Sequence, residues 1–467
     1  MKNKLLYFIP ILLWLICYFV FSFDGLYGQD AYEYLRYSEA LKTFLVTGKN
    51  PGDYFWGIYY PVFGSVLSFI IPNITLSLQL VSLLSLIVCS IYMEKIIHLI
   101  WKDNSFQNIP FLFFTLSPIV LIHSLLVMSD ILTCCLITLA FYHLLRYLET
   151  KQRNTILYGV LFCILAVMTR YASAIILFPI SCMVLFQLIK DKNFKIIFLS
   201  FFIILAVITP HIFIRFQNSF EFLSNPWLQN WSLLNLFEKS FYTLDGEIHN
   251  KTINFIYVFF PILHPIFGFL GGILIYVLIK YKSFTTFKYD KVIIMSIGLY
   301  ALFLGGIPCQ AKRFMLSSFP LVIIVLYPII KRFFYSFKHY KQIFIALVFI
   351  QLTLSSYFFL HFYNRNKLEK TICNEISKYQ GNTIYIFEID LALKGRKLDF
   401  NYENLYFKKY DRFEKEALVL INEKQLQKQW KGKNPYINWE NIQKKCVLVK
   451  LTTTYKDWNL YKISAVK

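Results

Sequence analysis

Read for polarity alone, the chain is a succession of apolar stretches near twenty residues long, separated by short polar connections. Eleven stretches, 5–22, 75–100, 108–126, 130–148, 155–169, 171–189, 196–214, 255–279, 291–306, 314–330 and 342–361, predict eleven transmembrane helices. Segment 58–72 is also apolar but short and interrupted by Gly and Pro, so it reads as a re-entrant or interfacial piece, with a full span as the alternative. The opening stretch Leu5–Phe23 lacks a small-residue cleavage site and is followed by further spans. It reads as an uncleaved first helix.

Three segments escape this pattern: a long first loop at 23–74, a second at 215–254, and a polar tail at 362–467. The tail predicts a small α/β domain, with an amphipathic helix near 367–379 and strands at 383–388, 417–422, 446–452 and 458–463. The fold class expected is therefore an all-α polytopic membrane domain over residues 1–361, followed by an extracytoplasmic α/β domain over 362–467. No internal repeat is visible, which counts against an inverted-repeat transporter.

Loop charge gives the direction. With the N-terminus cytoplasmic, the inside loops carry Lys102; Arg146, Lys151 and Arg153; Lys190, Lys192 and Lys195; Lys280, Lys282, Lys288 and Lys291; and Lys331, Arg332, Lys338 and Lys341. The outside connections are poorer in Lys and Arg for their length, which is the positive-inside pattern. The tail then lies outside. Composition agrees with a membrane protein: 57% of residues are hydrophobic and 16% charged, against about 25% charged in soluble domains. The formal net charge of +21 is explained by these loops and by anionic lipid headgroups, so no nucleic-acid partner is expected. Six of the nine cysteines lie in apolar spans. Of the rest, a Cys373–Cys446 disulfide is open but not required. The abundance of Lys, Asn, Ile, Phe and Tyr suggests an AT-rich bacterial genome, and hence a cytoplasmic (inner) membrane.

The candidate chemistry collects at the outer helix ends. In Gly28-Gln-Asp-Ala-Tyr-Glu, a helix beginning near Asp30 puts Asp30, Glu33 and Tyr37 on one face, while Ala31, Tyr34, Leu35, Leu41 and Leu45 supply apolar area for lying along the membrane. Asp30 and Glu33 also have capping-box spacing, so capping and catalysis stay open together. Asp130 opens the fourth span, with His123 just before it. Arg170 is the lone charge between two apolar helices, and an anion is expected beside it. His211 and Arg215 close the seventh span; Gln310, Lys312 and Arg313 precede the tenth. No His or Asp spacing suggests a metal site, and no cofactor is expected.

Carboxylates beside cations suit one reaction class especially. A carboxylate can take the proton of an attacking hydroxyl, and Arg or Lys can hold a phosphate as it leaves. Glycosyl transfer from a polyprenyl-phosphate sugar needs both. The layout resembles the GT-C superfamily of membrane glycosyltransferases, in the branch of protein O-mannosyltransferases and lipid A aminoarabinose transferases. The resemblance covers about residues 5–361 and rests on the acidic motif at Gly28–Glu33, Ser129-Asp130, the Ala166-Val-Met-Thr-Arg-Tyr171 exit, and Lys312-Arg313-Phe314 leading to Pro320. It implies that Asp30 is the base, that Lys312 and Arg313 hold the lipid phosphate, and that transfer is metal-free and inverting. The family's adjacent Asp-Glu pair is absent, since Ala31 follows Asp30.

The expected site is thus Asp30 and Glu33 for catalysis, Arg170, Lys312 and Arg313 for the donor phosphate, and Tyr37, Asp130 and His123 for substrate. The expected partners are the lipid-linked donor, a glycan, lipid or protein acceptor, and membrane lipid. The alternatives are an O-antigen polymerase or ligase on the same carrier, and a lipid or sugar transporter.

Overall fold

Helices form along the apolar runs, and several of their breaks fall at Pro or Gly. The computed structural model describes residues 4–102, 108–215, 225–243, 246–281, 287–453 and 457–467. Its first half runs α1 (Phe8–Leu15), α2 (Gly28–Thr47), α3 (Tyr59–Leu67), α4 (Ile74–Trp101), α5 (Asn108–Pro110), α6 (Pro118–Leu125), α7 (Asp130–Thr150), α8 (Arg153–Thr169), α9 (Ser173–Lys190) and α10 (Phe194–Ile214). The 215–254 loop holds α11 (Pro226–Gln229) and the hairpin β1 (Ser240–Thr243) and β2 (Gly246–His249). There follow α12 (Asn254–Tyr257), α13 (Phe260–Leu263), α14 (Leu270–Tyr281), α15 (Asp290–Gly306), α16 (Phe319–Tyr335) and α17 (Tyr340–Ile376).

The architecture is mostly helical and multi-pass. Among the described residues α4, α7, α9, α10 and α17 are each long and apolar enough to cross a membrane. The helical run Asn108–Thr115 with α6, bent by 69°, makes a sixth candidate. On α10 and α17 only 17% and 11% of the apolar stretch is buried, as on a surface solvated by lipid. The 58–72 segment contributes the nine-residue α3, which is too short to span.

Two expected spans are interrupted. The 108–126 stretch bends because Pro118 cannot continue the hydrogen-bond ladder from the π-helical turn Phe111–Thr115. The continuous span expected over 255–279 is instead α12, α13, a 3-10 turn at Pro265–Phe267 and then α14. Pro261 and Pro265 have no N–H to donate. Gly268 takes φ +103, and a Cβ there would meet Gln351 Nε2 at 2.9 Å.

The tail carries α18 (Asp390–Gly395), α19 (Glu423–Gln429), α20 (Asn434–Lys445) and a sheet of order β4-β3-β5-β7-β6, made of β3 (Thr383–Ile386), β4 (Asn401–Asn404), β5 (Leu418–Asn422), β6 (Cys446–Thr453) and β7 (Trp458–Val466). The strands β3, β5, β6 and β7 fall where the sequence predicts them. β3 is parallel to β4 and β5, while β7 is antiparallel to β5 and β6. Strand alternation divides the side chains between two cores. Ile384, Ile386, Leu418 and Leu420 join the cluster that runs through the helical bundle, and Tyr385, Val419 and Ile421 pack with α19 and α20 on the other face. Cys373 and Cys446 are both free, so the disulfide does not form.

Most of the apolar face of α2 is covered by protein. Ala31, Tyr34, Leu35 and Leu41 are buried against α3, α4 and α18, and Leu45, near the end of the helix, stays 53% exposed. The connection to the tail is a continuous helix. α17 runs unbroken through positions 361 and 362 to Ile376, and its last turns touch the first loop. The Tyr32 hydroxyl donates to buried Glu369 at 2.8 Å, and Arg365 donates to the same carboxylate at 2.7 Å. Asn366 donates to Asp24 and to the Leu26 carbonyl, and Arg396 reaches Asp24 at 3.1 Å.

Candidate active site

The first loop delivers Asp30 to the helical bundle. α2 starts at Gly28, with Tyr27 in extended backbone before it, so Asp30 is the third helical residue rather than the N-cap. The capping-box reading fails for that reason. Negative charge is favourable in the first turn of a helix, and Asp30 lies there half-buried. Its Oδ2 accepts from Arg313 at 2.5 Å, across 283 positions of sequence.

Arg313 comes from the 3-10 turn Lys312–Ser317. The helix proper, α16, starts five residues later than the sequence suggests, with Pro320 as its second residue, where the missing N–H costs nothing. Arg313 also touches Met128 Sδ at 3.3 Å and lies over the Phe314 ring. Burial works against its charge, but the carboxylates of Asp30 and Asp130 more than offset this and hold its pKa above the usual arginine value.

A second ion pair lies deeper. Asp130, the first residue of α7, is bound by Arg170 from the end of α8. The Asp130 side chain is 1% exposed and that of Arg170 19%. Arg170 and Arg313 share the Phe314 ring, at 5.1 and 5.5 Å from its centre. Ser129 accepts or donates to the Tyr34 hydroxyl at 2.8 Å, which ties α2 to the start of α7.

Asp30 and Arg313 face a cavity of about 660 Å³. His123, Lys312, Tyr27 and His361 also line it, with Met128, Ile266, Phe358 and Phe362 supplying apolar wall. Lys312 is half-buried, and burial together with nearby Lys251 pushes its ammonium below the usual lysine value. No carboxylate pairs with it among the described residues. His123 spends Nδ1 on the Ile119 carbonyl at 2.8 Å, as a buried structural histidine does.

Of the residues expected at the site, Asp30, Lys312, Arg313 and His123 converge on the cavity. Glu33, Tyr37, Asp130 and Arg170 do not line it. Glu33 is taken by Arg36 at 2.5 and 2.7 Å on the outer side of α2. Tyr37 is fully buried and stacked on Tyr54, with centres 3.9 Å apart. A three- or seven-residue offset aligns residues only roughly, and here it leaves these two pointing elsewhere. Tyr27 and His361 were not singled out by the sequence. Their signal was faint: an aromatic residue just before the acidic motif, and one histidine where the last apolar run ends.

No family model matches this sequence, and no curated protein matches it. Solved structures do. One is ArnT from Cupriavidus metallidurans bound to undecaprenyl phosphate, with a TM-score of 0.59 and 9% identity over 97% of both chains. The same protein in the apo state gives a TM-score of 0.55 and 9% identity, covering 97% of this chain and 98% of that one. The chain has the ArnT fold. The fold is the one that the resemblance implied, and the match covers the tail as well as the helical bundle. At this identity the ArnT likeness speaks for the fold; the roles of individual side chains rest on their own geometry.

Proposed function

We propose that this protein is an inverting glycosyltransferase, which moves a sugar from a polyprenyl-phosphate donor to an acceptor hydroxyl at the outer face of the bacterial cytoplasmic membrane. The observation that carries the reading is the cavity itself, where one carboxylate, Asp30, faces a cation without a carboxylate partner, Lys312, beside apolar wall. The ArnT fold supports it, since one ArnT structure holds undecaprenyl phosphate.

In this reading Asp30 accepts the proton of the acceptor hydroxyl while that oxygen attacks the anomeric carbon. The bond from the anomeric carbon to the phosphate oxygen breaks. Polyprenyl phosphate leaves with one more negative charge than it had as a diester, and Lys312 stabilises that charge. Arg313 orients the base through its 2.5 Å contact. Arg170 neutralises Asp130 and holds α7 and α8 together rather than touching the donor. Glu33 has no part. Attack opposite the leaving phosphate inverts the anomeric centre.

The test uses purified protein in proteoliposomes with a lipid-linked sugar fraction from the host membrane and its native acceptors. Proton NMR of the transferred sugar reads its anomeric configuration. Inversion relative to the donor is expected; retention, or no release of polyprenyl phosphate, contradicts the proposal.

A further inference from the structure

Three cations were expected to share the donor phosphate, yet two already hold carboxylates. Arg170 is bound to Asp130 and Arg313 to Asp30. Of the three, Lys312 is the one that lines the cavity and holds no carboxylate among the described residues, and one such ammonium is little for a group whose charge grows as the sugar departs. Hydrogen-bond donors on the facing wall would be needed.

That wall is α17. Phe358, His361 and Phe362 sit at the spacing that puts side chains on one helix face, and all three line the cavity. His361 Nε2 is 3.1 Å from the Tyr27 hydroxyl, and Tyr27 lines the cavity too. This pair has a polar hydrogen to spare in either arrangement. If the hydroxyl donates to Nε2, the ring keeps its Nδ1–H; if Nε2–H donates to the phenol oxygen, the hydroxyl hydrogen stays available. The other candidate donors are occupied or peripheral. Gln310 directs its amide hydrogens to the Thr252 carbonyl at 2.8 Å and Asn254 Oδ1 at 2.9 Å. His123 uses Nδ1 on a backbone carbonyl, and Gln29 is exposed at the rim.

We propose that the Tyr27–His361 pair binds the donor phosphate opposite Lys312, while Phe358 and Phe362 take the first isoprene units of the lipid. The inference rests on the glycosyltransferase reading and adds ligands to it. It also joins the site to the tail, because the helix that carries His361 continues into the tail.

The experiment titrates the full-length protein in lipid nanodiscs with undecaprenyl phosphate and, separately, with undecaprenol. The wild type should prefer the phosphate. His361→Ala should weaken undecaprenyl phosphate about tenfold, the scale of one hydrogen bond to a charged group, and leave undecaprenol unchanged. Tyr27→Phe, which keeps its ring against Phe362 (4.6 Å between centres), should weaken the phosphate roughly threefold. His361→Gln, which keeps a donor, should recover most of the loss. If His361→Ala cannot be purified, the Gln and Phe variants carry the test. Equal weakening of phosphate and alcohol, or no weakening of either, overturns the inference while the functional reading stands. A wild type that does not distinguish the two lipids overturns both.

Discussion

At the scale of residues, the structure divides the cations by the company they keep. Arg170 and Asp130 form a buried pair, and removing one member of such a pair leaves the other charge uncompensated, at a cost of about 3–5 kcal/mol. Arg170→Ala should therefore lower the folded yield and the thermal midpoint markedly, as read by a fluorescence thermal shift in detergent. Among the described residues Lys312 has no carboxylate to strand. Lys312→Ala should leave that midpoint nearly unchanged while weakening donor binding. The opposite pattern would return Arg170 to the phosphate. Each of these residues was visible in the sequence as a charge at the end of an apolar run, because ionisable groups near lipid are conspicuous. Their partners were not. The contact between Asp30 and Arg313 spans 283 positions, and that between Tyr27 and His361 spans 334.

At the scale of elements, the setting of the Asp130–Arg170 pair depends on a close approach between the first loop and the end of α8. A Cβ on Gly57 would lie 2.2 Å from the Met168 carbonyl oxygen, a backbone atom that cannot swing aside. Gly57→Ala should destabilise the protein by about 1–3 kcal/mol, the cost of overpacking, and should disturb Arg170, two residues further on. A thermal midpoint equal to the wild type would refute this packing. Elements were the most legible level. The hydropathy pattern located the long helices and four of the five strands of the tail. It missed the break in 255–279 because averaging over a window hides what Pro261, Pro265 and Gly268 do locally. It also stopped the last span at 361, where apolar residues give way to charged ones, although the helix continues fifteen residues further, to Ile376. A change of solvent alters which residues are favoured outside a helix without ending its backbone ladder.

At the scale of the whole molecule, the tail and the first loop are joined through Asp24, which Arg396 and Lys370 reach at 3.1 and 3.2 Å. Burial alone would raise the pKa of Asp24, but Arg396, Lys370 and Asn366 hold it below the usual aspartate value. A carboxyl depressed by folding contributes stability that is present above its unfolded pKa and is lost as pH falls through the folded value. Asp24→Asn should thus melt below the wild type at pH 7, and the gap should narrow as pH drops under 3.8; a gap independent of pH would speak against this clamp. With the tail so fixed, Asp30 faces the cavity from a loop held on both sides. The central claim is that Asp30 is the base that activates the acceptor. The measurement that bears on it most directly is the single-turnover rate of polyprenyl phosphate release by Asp30→Asn, with donor binding and membrane insertion checked in parallel. A loss of roughly a hundredfold or more with donor binding retained is the expected result. Release at the wild-type rate from a folded, donor-binding Asp30→Asn protein would contradict the account.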